Sequence, residues 1–180
     1  MNKKCSSCGE VKPFTDFHKH KNKKNGIATV CMGCSRDIKI KYRNTEYGYM
    51  KDKYILMCRK NRSHKCLLTF EEFLTSWEKH KSIYGMKSAW GPGVHNLEQH
   101  QPMTMIYLGN GQKGKPGNIK GSKNIMSNLS VDRLDSRKDY TAQNIIFICS
   151  DENRRKNNSS YEDCKIQMRL HKERFKNEKK

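Results

Sequence analysis

The residues able to do chemistry in this chain crowd into positions 129–157, LSVDRLDSRKDYTAQNIIFICSDENRRKN. A short apolar strand ends in the acidic–basic pair Asp132-Arg133. A polar loop follows, then a second apolar strand introduced by Asn144, then a charged helix with Asn153 in its first turns. This strand–loop–strand–helix layout can bring Asp132 and Asn153 together around one hard cation beside a phosphate. Oxygen donors suit Mg2+ or Mn2+, and Mg2+ commonly takes one or two protein ligands and completes its shell with waters and phosphate. Asp132 offers a carboxylate and Asn153 a carbonyl oxygen. Asn144 is placed to tie the intervening loop through its amide. Arg154, Arg155 and Lys156 continue the helix as phosphate contacts. The chemistry is that of phosphodiester hydrolysis, in which charge on the phosphate is neutralised, water is activated and the phosphate is held in place.

The rest of the chain must position that segment. Its 180 residues hold 34% hydrophobic and 31% charged residues, which favours small modules over one large core. Lys and Arg number 37 against 18 Asp and Glu, a net charge of +19. Such an excess concentrates polyanions and releases counterions from a phosphate backbone, so nucleic acid is the expected partner. No apolar run approaches the ~20 residues that span a bilayer, so no membrane partner is expected. The opening MNKKCSSCGEVK has no apolar signal region, so a cytoplasmic location is expected. In a reducing compartment the eight cysteines read as metal ligands or core residues before disulfides.

Cys5-x2-Cys8 and Cys31-x2-Cys34 are two knuckles in a basic segment, residues 1–42. Four thiolates so spaced form a closed tetrahedral Zn2+ site, structural because no coordination position is left open. Gly9 and Gly33 stand beside the cysteines to ease the turns. The segment's apolar set is little more than Phe14, Phe17, Ile27 and Val30, so zinc would supply most of its folding free energy. Cys58, His64, Cys66, Cys149 and Cys164 could meet around a second zinc, but their irregular spacing favours plain buried thiols.

Residues 35–62 read as a basic connector, helical in part. Its Tyr42, Tyr47 and Tyr49 either lie along a nucleic-acid backbone or pack on a neighbouring element. In 69–81, TFEEFLTSWEKHK, Thr69 and Glu72 have capping-box spacing, and Phe70, Phe73, Leu74 and Trp77 make one apolar stripe. QPMTMIYL, 101–108, reads as a strand. The Gly/Lys-rich run after it, with Lys113, Lys115 and Lys120, reads as a basic loop that follows phosphates or is a plain surface insertion. The chain after Asn158-Ser159 reads as a C-terminal helix with Cys164, Met168 and Phe175 toward the body.

Three runs carry a resemblance: Ser130-Val131-Asp132-Arg133-Leu134-Asp135, Asp139-Tyr140-Thr141-Ala142-Gln143-Asn144, and Cys149-Ser150-Asp151-Glu152-Asn153-Arg154-Arg155-Lys156-Asn157. They resemble the core of the HNH endonuclease superfamily, the ββα-metal fold. The likeness is strongest to phage-encoded and homing-type members, many of which also carry an N-terminal ribbon like Lys3 to Phe17. The resemblance implies Asp132 and Asn153 as metal ligands and Asn144 as the loop-orienting residue. Most of the superfamily has His directly after the metal-binding Asp, and this chain has Arg133. A guanidinium stays protonated, so it holds phosphate rather than serving as a base. Water activation then falls to metal-bound hydroxide, His95, His100 or Tyr140.

The expected fold is α+β: a zinc ribbon over 1–42, a helical connector and helix over 43–84, and a ββα-metal core with a C-terminal helix over 85–180. The expected function is a divalent-metal-dependent DNA endonuclease, acting as monomer or homodimer and nicking one strand per visit. The alternative is a non-catalytic zinc-ribbon nucleic-acid-binding protein.

Overall fold

A computed structural model describes residues 1–23, 25–90, 99–108 and 125–156, with Ile166 and Arg169. Among the described residues the architecture mixes helices with three small two-stranded sheets. It divides into two units, one of residues 1–45 with 107–122 and one of 46–106 with 123–180. No helix among the described residues is long and apolar enough to cross a membrane.

The first unit begins with the antiparallel pair β1 (Asn2–Lys4) and β2 (Val11–Pro13). A 3-10 turn at Phe14–Asp16 leads to β3 (Phe17–Lys19), which pairs with β4 (Ile27–Cys31). Helix α1 (Met32–Arg43) follows directly. Gly9 has φ 75°, the left-handed conformation that lets the first knuckle turn without a Cβ penalty. Gly33 differs from expectation, because it lies inside α1. The second knuckle is a helix start, with Cys31 as N-cap accepting from the Cys34 N–H. The unit's core is Cys5, Phe17, Ile27 and Cys31, with Phe14, Val30 and Cys34 against it.

The second unit is built on α2 (Glu46–Met57), α3 (Phe70–Tyr84) and the hairpin β5 (Leu129–Arg133) and β6 (Ile145–Cys149), followed by α4 (Ser150–Lys156). Both bonds of the α3 capping box form: Glu72 N–H to Thr69 Oγ1 at 3.2 Å and Thr69 N–H to Glu72 Oε2 at 2.8 Å. Such a cap stabilises a helix by about 1 kcal/mol. The stripe Phe70, Phe73, Leu74 and Trp77 packs in the core and continues through His80. The packing reading holds for Tyr49 and in part for Tyr47, whose ring meets that of Phe70 edge-on at 5.6 Å. Tyr49 is buried and donates to the Leu129 carbonyl at 3.0 Å, whereas Tyr42 and Tyr47 are exposed.

Alternation along the hairpin sorts its residues. Leu129 pairs with Cys149, Val131 with Phe147 and Arg133 with Ile145. Of these, the apolar residues join the α2–α3 core. Ser130 pairs with Ile148 and Asp132 with Ile146, and those two isoleucines pack with Ala89 and Trp90 on the other face. Burial on both faces explains why every residue of β6 is buried.

Residues 101–108 are not the strand the sequence suggests. They make only isolated bridges, Lys87 with Pro102 and Thr104 with Asn128. Pro102 has no N–H to extend a ladder. Beyond Thr104 the Asn128 side chain stands in for a neighbouring strand, accepting from Ile106 N–H at 2.9 Å and donating to its carbonyl at 2.7 Å. The Gly/Lys-rich run with Lys113, Lys115 and Lys120, and the body of the C-terminal helix with Cys164, Met168 and Phe175, lie outside the described residues.

Candidate functional site

In the first unit the sulfurs of Cys5, Cys8, Cys31 and Cys34 lie within 4.8 Å of one another. Such a cluster fits a metal ion such as zinc, whose bonds to thiolate are about 2.3 Å. The backbone N–H of Cys31, 3.3 Å from Cys5 Sγ, and then that of Cys8 bring the Cys5 thiol down to about 6. At Cys5, though not at Cys34, which is pushed up to about 12, the thiolate that ligates metal is therefore favoured. Among the described residues no other group of three or more His, Cys, Asp or Glu gathers this way. Burial pushes the thiols of Cys66 and Cys149 up to about 11, as befits packed sulfurs.

In the second unit, α4 lies along the Ser130/Asp132 face of the hairpin, and two side-chain rungs join them. Asn153 Nδ2 donates to Ser130 Oγ at 2.7 Å. One helical turn on, Lys156 Nζ lies 2.6 Å from Asp132 Oδ2 and also donates to the Arg133 carbonyl. Strand residues two apart and helix residues three apart share a face, and this produces the ladder. Lys156 thus departs from the exposed phosphate contact expected of it, since its side chain is only 6% exposed and that of Asp132 15%. Asp132 Oδ1 and Asn153 Oδ1 accept no hydrogen bond from the described residues. Two such oxygens are the donor type a hard divalent cation takes.

Helix α4 is held down by Glu152, which is 2% exposed. Its Oε2 accepts from the Cys149 N–H at 3.1 Å and from the Ser88 hydroxyl. Ser88 and Trp90 offer their carbonyls to His100 Nδ1 at 2.8 and 3.1 Å. Two acceptors on one ring nitrogen fix Nδ1 as the protonated one, which leaves Nε2 of the neutral ring with its lone pair. His95 lies outside the described residues.

Asn144, buried at the start of β6, ties the 135–139 loop. Its Oδ1 accepts from the Asp135 N–H at 2.8 Å, and its Nδ2 donates to the carbonyls of Asp135 at 3.1 Å and Asp139 at 2.9 Å. Inside the loop, the Arg137 guanidinium and then its N–H hold the Asp135 carboxyl below the usual range.

Arg133 points away from Asp132. Its Nη1 donates to the Lys138 carbonyl at 2.9 Å, and its guanidinium sits 5.1 Å from the centre of the Tyr140 ring. The Tyr140 hydroxyl accepts from Arg62 Nη1 at 3.0 Å. Arg154 is exposed on α4, and the Arg155 side chain lies outside the described residues. The residues that sequence reasoning missed are Ser130, Ser88 and Arg62, together with the inward role of Lys156. Alternation along β5 and the spacing of Asn153 and Lys156 carried a signal for Ser130 and Lys156. Nothing local pointed to Ser88 or Arg62, whose partners are 64 and 78 residues away in sequence.

No known protein family matches the chain, and no curated protein does. Among solved structures the chain is similar to the rare-cutting HNH restriction endonuclease PacI. The likeness is 19% identity over 94% of this chain and 94% of that one, at a TM-score of 0.29.

Proposed function

We propose that this chain is a metal-dependent endonuclease that hydrolyses DNA phosphodiester bonds, with its site on the Ser130/Asp132 face of the β5–β6–α4 unit. The observation that carries the reading is the strand–helix ladder, which sets Asp132 and Asn153 on facing elements of a +19 chain, each with an oxygen to spare. Asp132 and Asn153 would hold Mg2+ or Mn2+, and the bound cation would supply positive charge against the scissile phosphate and acidify water. Asn144 keeps the loop between the strands in one conformation. Arg133, Arg154, Arg155 and the lysines 113, 115 and 120 serve as contacts to the DNA backbone. The four-cysteine cluster holds a structural Zn2+. A single site per chain makes a nick the expected product, and a homodimer would cut both strands. The HNH-like motifs also suit a phage or mobile-element origin.

One observation favours the alternative, a non-catalytic nucleic-acid-binding protein. The ammonium of Lys156 already neutralises Asp132. The deciding experiment is conversion of supercoiled plasmid with Mg2+, Mn2+ or EDTA, using wild type, Asp132→Asn and Asn153→Ala. Asn is preferred to Ala at 132 because it leaves an acceptor beside Lys156. Metal-dependent conversion lost in both variants supports the nuclease. DNA binding without conversion, on plasmid and on phage genomic DNA, favours the binding protein.

A further inference from the structure

We propose that Arg62 and Arg133 form a clamp for one backbone phosphate of DNA, distinct from the phosphate at Asp132 and braced by Tyr140. This rests on the DNA-directed reading above, though it requires binding only and not cleavage.

Tyr140 is the shared brace. Its ring is buried in the main core of the second unit, so it moves little. Arg62 reaches its hydroxyl from one side and Arg133 lies over its ring. The segments carrying these groups are stitched together by backbone bonds, Tyr140 N–H to the Lys65 carbonyl at 2.9 Å and Leu67 N–H to the Tyr140 carbonyl at 3.0 Å. The two guanidiniums are therefore held near one another by the fold.

Like charges brought together need an anion, and none is supplied. Among the described residues no carboxylate pairs with Arg62 or Arg133. Asp139, next to Tyr140 in sequence, is turned to the Lys65 N–H at 2.9 Å, with His64 at 3.8 Å, and Asp132 is paired with Lys156. Arg133 Nε is also buried without an acceptor, a donor that is costly to leave unmet. Arg62 is exposed, so the pair can be reached from solvent. A phosphodiester matches two guanidinium forks in charge and in the spacing of its oxygens.

Alternation along β5 places this clamp on the face opposite Asp132. Adjacent Cα atoms are only 3.8 Å apart, so the clamp lies beside the Asp132 site without being part of it. It suits a phosphate flanking the one to be cut.

The test is fluorescence anisotropy of full-length protein on a labelled DNA duplex in EDTA, over a range of salt. Arg62→Ala, which loses both fork and charge, and Arg62→Lys, which keeps the charge and loses the fork, should each weaken binding about tenfold. Arg62→Ala should also reduce the salt slope by about one. Arg133→Lys should behave like Arg62→Lys, and the double Lys variant should bind little worse than either single. Tyr140→Phe removes the hydroxyl that seats Arg62 and should show a smaller loss. Unchanged affinity and slope in Arg62→Ala would overturn the clamp. So would single losses that multiply fully in the double variant, which would mean separate contacts. Arg62-dependent displacement of DNA by millimolar inorganic phosphate at constant ionic strength would instead indicate a free-phosphate site. A wild type that shows the clamp pattern but never cuts would sink the nuclease reading alone, and one that binds no DNA would sink both.

Discussion

The ammonium of Lys156 lies 2.6 Å from Asp132 Oδ2, in the position where a positive charge is needed against that carboxylate. The pair links α4 to β5 and is nearly closed to solvent. A buried pair is costly to break but does little for net stability when intact. The expected consequence is competition, because a divalent cation drawn to Asp132 would meet an ammonium already there.

Lys156→Met should therefore lower the melting temperature in EDTA, by the equivalent of about 2–3 kcal/mol for an uncompensated and mostly buried carboxylate. Added Mn2+ should restore more of that loss than it adds to wild type. Thermal melts with and without metal decide this. Equal Mn2+ shifts in the two proteins would show that Lys156 does not compete.

Asn144→Ala removes three hydrogen bonds, two buried and one partly buried, that hold residues 135–139. At about 1 kcal/mol each, denaturant unfolding should show a loss of about 2–4 kcal/mol. Asn144→Asp keeps one acceptor but loses both donors, and should recover only part of it. A loss below about 1 kcal/mol would mean that the loop is held by other contacts.

Metal removal should act first on the four-cysteine cluster. The purified protein should carry one zinc per chain, and a strong chelator should release it together with four newly reactive thiols, those of Cys5, Cys8, Cys31 and Cys34. Cys5→Ser should lower zinc occupancy even at neutral pH. Thiol titration beside zinc analysis checks both, and full thiol reactivity before chelation would argue against a metal.

Lys53 gives a pH signature. Burial holds its ammonium down to about 8 from 10.5, partly opposed by Asp52. A base whose folded pKa lies below its unfolded one destabilises the fold while charged. That cost is fully present below pH 8 and fades as pH rises from about 8 toward 10.5. The side chain is partly exposed and lies 4.9 Å from the Tyr49 ring centre, so the cost is discounted to about 1 kcal/mol. Lys53→Met should raise the melting temperature at pH 7 by about 3 °C, with the gain shrinking at pH 10. A gain independent of pH would assign the effect to packing.

The sequence by itself determined what depends on short spacings. The two cysteine knuckles, the Thr69/Glu72 capping box, the Phe70–Trp77 stripe and the pair of strands before a charged helix are all local periodicities, and each appears where the residues put it. Tertiary structure decided the partners. It set α4 against β5 so that Asn153 meets Ser130 and Lys156 meets Asp132, and it turned Arg133 onto Tyr140. It sent Tyr49 inward while leaving Tyr42 and Tyr47 outside, and it left residues 101–108 without a ladder. The physical reason is one of range. Alternation and helical pitch fix which side chains share a face, whereas the axial offset between two elements follows from the packing of their whole surfaces, and a shift of one rung exchanges every partner.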